Sequence, residues 1–288
     1  MKEREVVVVT DYAADLPDDL SQFGIRQIPK IPLGVSFDTE DYLTGIDIDL
    51  DLYRKRVHQY WEIGKIIPKT HTTGIDNFSK FYKDPVEAGY NVLSIHVGDN
   101  LSNTGNIARA AANEFPTGRV KIYDTGTLSM AEGFMAIEAQ KAAESGATLK
   151  EITKILDSQR ERSHVRVITP NIPYLKASGR ANKLVSIFAS ALSIIPIIQL
   201  DHNIVGVDGK PRTMRGALDW SIKFVENIGP VERICLLDYE TEPHSQLLND
   251  RLINELGISK EIIYRGEIGP LTGSHCGPGG LGLIVIRK

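Results

Sequence analysis

Residues 92–124, VLSIHVGDNLSNTGNIARAAANEFPTGRVKIYD, decide the fold. Val92 to Val97 (VLSIHV) is a largely apolar segment of strand length, and Val120 to Tyr123 (VKIY) is another. Between them, Thr104 to Phe115 places Ile107, Ala108, Ala111 and Ala112 at helical spacing. Strand, helix and strand at these lengths build an α/β unit with a largely parallel sheet. Helices cover both faces of such a sheet, so its strands need no polar alternation.

Towards the N-terminus, Val6-Val7-Val8-Val9 is a β-branched run of the same kind, closed by Thr10-Asp11. Towards the C-terminus, Ser129 to Ser145 is Ala-rich and helical, and Leu149 to Arg162 carries Ile152, Ile155 and Leu156 on one stripe. Beyond that point the pattern changes. Strand-like segments fall at Val165 to Ile168, Ile195 to Leu200, Ile234 to Asp238, Glu261 to Tyr264 and Leu283 to Ile286. Helices are expected at Leu184 to Ser193, Arg215 to Glu226 and His244 to Glu255, with a hairpin turning on His202-Asn203. The expected fold class is α/β in two domains: a parallel-sheet domain over residues 1–162 and an α+β domain over residues 163–288.

The 288 residues carry 33 Lys+Arg against 37 Asp+Glu, a formal net charge of −4. That balance offers no basic footprint for nucleic acid or an anionic membrane. With 42% hydrophobic and 24% charged residues, the chain can build a core without disulfide or metal staples. Cys235 and Cys276 make no disulfide framework and fit a reducing compartment. The four N-terminal valines fall short of the roughly 7–15 apolar residues of a secretory signal. Val185 to Leu200, the most apolar stretch, is interrupted by Ser186, Ser190, Ser193 and Pro196 and is shorter than the ~20 residues that span a bilayer. A cytoplasmic protein with no membrane span is expected.

Four polar loops hold most of the chemistry: residues 10–16, 68–73, 98–105 and 124–127. In a parallel sheet, loops leaving the carboxyl ends of strands converge on one edge, where ligands bind. Ser102, Asn103 and Thr104 stand just before a helix, where unpaired backbone N–H groups attract an anion. Ser102 therefore reads either as a contact to a carboxylate or phosphate or as a helix cap. Asp124-Thr125-Gly126 occurs as a single copy, whereas aspartic-protease chemistry needs two coupled carboxylates. Asp11, Asp15, His71 and His96 have no zinc-like spacing, so neither metal nor cofactor is expected. Residues 273–280, GSHCGPGG, offer close backbone approach around one imidazole, His275, on what reads as an extended loop. Arg180, in Ser178-Gly179-Arg180, is either a bidentate carboxylate partner or a surface turn residue.

Taken in order, these segments resemble the motifs of the DegV family. Thr10-Asp11-x-x-Ala14-Asp15-Leu16 resembles TDSTADL, Pro68-Lys69-Thr70 resembles the start of P-x-T-S-Q-P-S, and Leu101-Ser102-Asn103-Thr104 resembles L-S-G-T. Asp124-x-x-x-x-Ser129 resembles D-S-x-x-x-S, and Tyr174-Leu175-Lys176-x-x-Gly179-Arg180 resembles Y-L-K-K-G-G-R. Pro196-Ile197 resembles K-P-I, and Gly273 to Gly279 resembles G-x-H-x-G-P-G. The chain departs from the pattern at Tyr12, His71, Gly98, Asp99, Gly105 and Ser178, where hydroxyls, a tyrosine or a glycine would stand.

The resemblance implies a two-domain lipid-binding protein without turnover of its own, holding a long-chain fatty acid in a tunnel between the domains. It implies that a separate ATP-dependent fatty acid kinase phosphorylates the presented carboxylate. Carried over by position, Thr70, Ser102, His275 and Arg180 would meet that carboxylate, with Thr10, Asp11, His71, Asn103, Thr104 and Gly273 as secondary ligand or loop contacts. Ile187, Phe188, Leu192, Ile194 and Ile195 read either as tunnel wall or as ordinary core. Lys210, Arg212 and Arg215, aligned with a basic family stretch, read as kinase docking residues or as a solvated turn. The alternative function is a Ser/His-dependent hydrolase or acyl transferase using Ser102 and His275, with Asp99 to orient the imidazole. Ser102 lacks the flanking glycines of a G-x-S-x-G elbow.

Overall fold

The valine run at the N-terminus lies inside a four-stranded sheet, where Val8 and Val9 are each 1% exposed. Full burial of such a side chain stabilises by about 1.5–3 kcal/mol, which β-branched residues secure without helix propensity. The structure is a computed structural model describing residues 5–25, 27–177 and 194–288. Arg180, Ile187, Phe188, Leu192 and the helix expected at Leu184 to Ser193 lie outside the described residues. The chain divides into two compact units, Met1–Glu161 and Arg162–Lys288.

The first unit runs β1 (Val6–Asp11), β2 (Lys30–Ile31), β3 (Gly34–Phe37), β4 (Glu40–Leu43), α1 (Leu50–Gly64), β5 (Lys69–His71) and α2 (Ile75–Glu87). It continues β6 (Asn91–His96), α3 (Thr104–Ala112), β7 (Val120–Asp124), α4 (Met130–Glu144) and α5 (Leu149–Arg162). Strand order β2-β1-β6-β7 is parallel throughout. The register pairs Val8 with Leu93 and Ile95 with Tyr123. α4 is buried almost all round, from Met130 to Ile137, rather than along one stripe. A small antiparallel sheet, β4-β3-β5, sets Thr70 opposite Val35 and His71 opposite Gly34. That sheet is an addition to the parallel reading of the first half.

The second unit follows with β8 (Ser163–Ile168), α6 (Ile172–Ala177), β9 (Ile197–Asp201), β10 (Ile204–Gly209), α7 (Met214–Ile228) and β11 (Val231–Tyr239). It ends with α8 (His244–Leu256), β12 (Ile263–Glu267), α9 (Pro270–Cys276) and β13 (Gly280–Arg287). Its mixed sheet has the order β10-β9-β8-β13-β11-β12, parallel only between β11 and β12. Leu218 and Ile222 of α7 and Leu248 and Leu252 of α8 join Leu236 and Leu283 in one core. The β9–β10 hairpin turns at His202-Asn203, with Asn203 at φ 56°, a left-handed position that Asn tolerates. One expectation fails here. The segment around His275 is helical, α9, rather than an extended loop. Pro270 in its first turn and Gly277 just past its end, at φ 71°, are ordinary helix boundary signals.

Candidate functional site

In the first unit the loops leaving β1, β6 and β7 are stitched to one another at the carboxyl edge of the parallel sheet. Asp11, fully buried, accepts from Ala13 N at 2.8 Å through Oδ1, and its Oδ2 lies 2.8 Å from His96 Nδ1. His96 Nε2 is 2.7 Å from Ser94 Oγ, which is 2.9 Å from the Tyr82 hydroxyl. With Tyr82 donating to Ser94, Ser94 to Nε2 and Nδ1–H to Asp11, every member of the row has a partner. Asp124 Oδ1 accepts from Asp99 N at 3.1 Å and from Gly126 N at 2.9 Å. The Thr125 hydroxyl donates to His96 O at 2.8 Å, and Ser129 N donates to Ala13 O at 2.7 Å. Gly98 is required where it stands, because a Cβ there would sit 2.7 Å from the Gly126 carbonyl carbon.

This frame carries the Ser102 loop. Leu101 N and Ser102 N both donate to Gly98 O, at 2.8 and 3.1 Å. Ser102 is half-buried, and its Oγ accepts from Thr104 N at 3.2 Å and lies 2.7 Å from Thr104 Oγ1. The N-cap position of α3 is Asn103, exposed and without a capping side-chain bond, so Ser102 makes a local turn ahead of the helix. Thr104 is buried in the first turn. Thr70 is half-buried on β5, and His71 is exposed, its Nε2 3.4 Å from Asp41 Oδ2. Gly34 makes room for that imidazole, since a Cβ on Gly34 would meet His71 Nε2 at 2.0 Å.

Two acidic side chains here were not singled out as ligands from sequence. Glu132, in the first turn of α4, is fully buried and accepts from the Thr10 hydroxyl at 3.0 Å. Burial, and next the nearby charge of Asp11, push its pKa well above the ordinary carboxyl value. Its signal in the sequence is an acid inside an otherwise apolar run, MAEGFMAI. Asp99 is held by Arg109, with Nη2 to Oδ2 at 2.5 Å and Nη1 to Oδ1 at 3.3 Å.

In the second unit two motif segments come together. The Thr169 hydroxyl, at the end of β8, donates to Cys276 O at 2.8 Å. The Tyr174 ring of α6 lies against Gly277, where a Cβ would be 2.6 Å from the ring. Burial, then the charges of Glu240 and Cys276, push the Tyr174 hydroxyl up to about 12. Gly279 N donates to Tyr239 O at 2.7 Å, tying the loop after α9 to β11. His275 is half-buried on α9, while Gly273 and Cys276 beside it are buried. Lys210, Arg212 and Arg215 are exposed around the N-terminus of α7, whose cap is Thr213 accepting from Gly216 N at 3.1 Å. Among the described residues there is no group of three or more His, Cys, Asp or Glu able to hold a metal ion, and no helix long and apolar enough to cross a membrane.

The DegV family profile matches residues 5–288. The chain belongs to the DegV family. A DegV domain-containing protein of Streptomyces coelicolor is 28% identical over 295 residues, covering 99% of each chain. Protein DegV of Bacillus subtilis is 25% identical over 289 residues, covering 98% of this chain and 99% of that one. Among solved structures, a DegV-family protein from Thermus thermophilus, described for its fatty acid binding, superposes with a TM-score of 0.88 at 27% identity. It covers 99% of this chain and 100% of its own. The DegV motifs thus sit at defined places: Thr10-Asp11 ends β1, Leu101-Ser102 follows β6, Asp124 ends β7, Tyr174 lies on α6 and His275 on α9.

Proposed function

We propose that this protein is a fatty acid carrier without turnover of its own, which binds a long-chain fatty acid and presents its carboxylate to a fatty acid kinase. The observation that carries the reading is the Ser102 loop, a half-buried hydroxyl held ahead of α3 by the Asp11 and Asp124 stitches. The match over nearly the whole chain to the fatty-acid-binding Thermus thermophilus protein supports the ligand class. A buried carboxylate needs hydrogen bonds to offset its lost hydration. Thr70, Ser102, His275 and Arg180 supply them in this reading. Each methylene removed from water contributes about 0.8 kcal/mol, partly offset by association and ordering costs. The protein is accordingly placed in the cytoplasm, where such a kinase has access to ATP.

Lys210, Arg212 and Arg215 form the docking face for the kinase. Arg215, in the first turn of α7, opposes the helix dipole by about 0.3–1 kcal/mol, a cost that a partner's acidic surface would relieve. Such charges act chiefly on the association rate. Calorimetry of delipidated protein with C14–C18 acids tests the carrier. Micromolar or tighter binding is expected, and its absence overturns the reading. With all three basic residues changed to Glu, lipid binding should persist while kinase-dependent acyl phosphate formation falls. Undiminished phosphorylation removes the docking face.

A further inference from the structure

Asp99 and Gly105, the departures that flank the L-S-G-T-like segment Leu101-Ser102-Asn103-Thr104, are one feature in the structure. A Cβ on Gly105 would lie 2.0 Å from Asp99 Oδ1 and 3.2 Å from Arg109 Nη1. The Asp99 carboxylate therefore occupies the space that any other residue at 105 would fill. From there it takes both terminal nitrogens of Arg109, one turn along α3. Arg109 Nη1 also donates to Asn106 Oδ1 at 3.0 Å, and Asn106 Nδ2 donates to Asn103 Oδ1 at 2.8 Å. The row of side chains begins at Asp99 and ends at Asn103, the residues on either side of Asn100-Leu101-Ser102. The backbone N–H of Asp99 is meanwhile fixed by Asp124 at 3.1 Å.

The side chains of Asp99 and Arg109 are 32% and 42% exposed, and ion pairs so open to water contribute little to global folding. Their bidentate geometry still restricts the short segment that they span. We propose that Asp99, Arg109, Asn106 and Asn103 are positioning residues, a side-chain bracket seated on Gly105 that holds the Ser102 hydroxyl and its neighbouring amides ready for an anionic head group. The bracket rests on the reading of Ser102 as a carboxylate contact. It adds that Asp99 and Gly105 act as one unit, so changing either misplaces the loop.

The test combines hydrogen exchange on the full-length, ligand-free chain with palmitic acid binding. Asp99→Ser and Arg109→Gln should each speed exchange of the amides at 101–106 about tenfold without lowering the thermal midpoint. Each should weaken palmitic acid binding about three- to tenfold, with Arg109→Lys, which keeps the charge, recovering part of the loss. Gly105→Ala should behave like Asp99→Ser alone, and adding it to Asp99→Ser should change either readout by no more than about twofold. Full additivity of those two substitutions overturns the bracket, as does unchanged exchange in Asp99→Ser and Arg109→Gln. Faster exchange with unaltered affinity also overturns it, since the network would then be structural only. If the parent chain binds no fatty acid, the carrier reading fails by itself, and the exchange coupling alone decides the bracket.

Discussion

Replacing Glu132 by Gln tests the electrostatics of the first unit. The carboxyl is fully buried, with Oε1 accepting from Thr10 at 3.0 Å and no hydrogen-bond partner described for Oε2. Desolvation raises its pKa well above 4.5, and the Asp11 charge adds to the effect. The native state thus keeps a proton that the unfolded chain releases near that ordinary value. Its stability is complete below it and declines as pH rises towards the native pKa. One proton sets the slope at no more than about 1.4 kcal/mol per pH unit. Gln keeps an oxygen for Thr10 and is neutral at every pH; the protonated parent already has one O–H at Oε2 without an acceptor, and Gln replaces it with two N–H groups, an extra unpaired donor worth about 1–3 kcal/mol. The variant should therefore be the less stable protein at pH 5 and gain on the parent as pH rises, by no more than about 1.4 kcal/mol per pH unit. Urea unfolding followed by Trp61 fluorescence, in a Trp220→Phe background, reads the first unit at each pH. Parallel stability curves for the two proteins would refute a proton held on Glu132.

Ser102→Ala should weaken fatty acid binding about tenfold, the value of one hydrogen bond to a charged group, while lowering stability by less than about 1 kcal/mol; an unchanged dissociation constant leaves Ser102 as a turn residue only. In the second unit, burial alone would raise Asp201. Bonds from His164 and Arg166, with the Arg166 charge, outweigh it and hold the carboxyl at about 2. Because the native pKa is depressed, the stabilisation is present above the ordinary value of 3.8 and disappears as pH falls towards 2. Asp201→Asn should abolish about 2 kcal/mol of acid-dependent stability in that window, as read by acid titration of Trp220 fluorescence.

The parallel strands were legible because Val6–Val9 is a β-branched run of strand length and the run from Val92, although it carries Ser94 and His96, is apolar enough to be buried throughout. The sheet β4-β3-β5 was not, since Glu40–Leu43 and Lys69–His71 are partly exposed and mostly polar; β4 turns straight back on β3 through Asp38-Thr39, while β5 joins β3 from far along the chain. α1 was hidden by its charges, although Asp49 marks its start by accepting from Leu52 N. The glycines around His275 suggested an open loop, while Pro270 at the first turn already pointed to a helix. Ser102 was legible from its place before α3. The coupling of Asp99 to Gly105 was not, because only the fold brings that carboxylate over the helix's first turn. Glu132 escaped notice because a periodic reading of an Ala-rich helix leaves one side for water, and α4 has almost none.

The proposed ligand is a long-chain fatty acid. Organic extraction of the protein as purified from cells, followed by mass spectrometry against an internal standard, measures this directly. One free fatty acid of about 14–18 carbons per chain, close to equimolar, is expected, because burial of that many methylenes makes release slow. An extract without acyl chains, from a protein that also fails to take up palmitic acid added in its place, would contradict it.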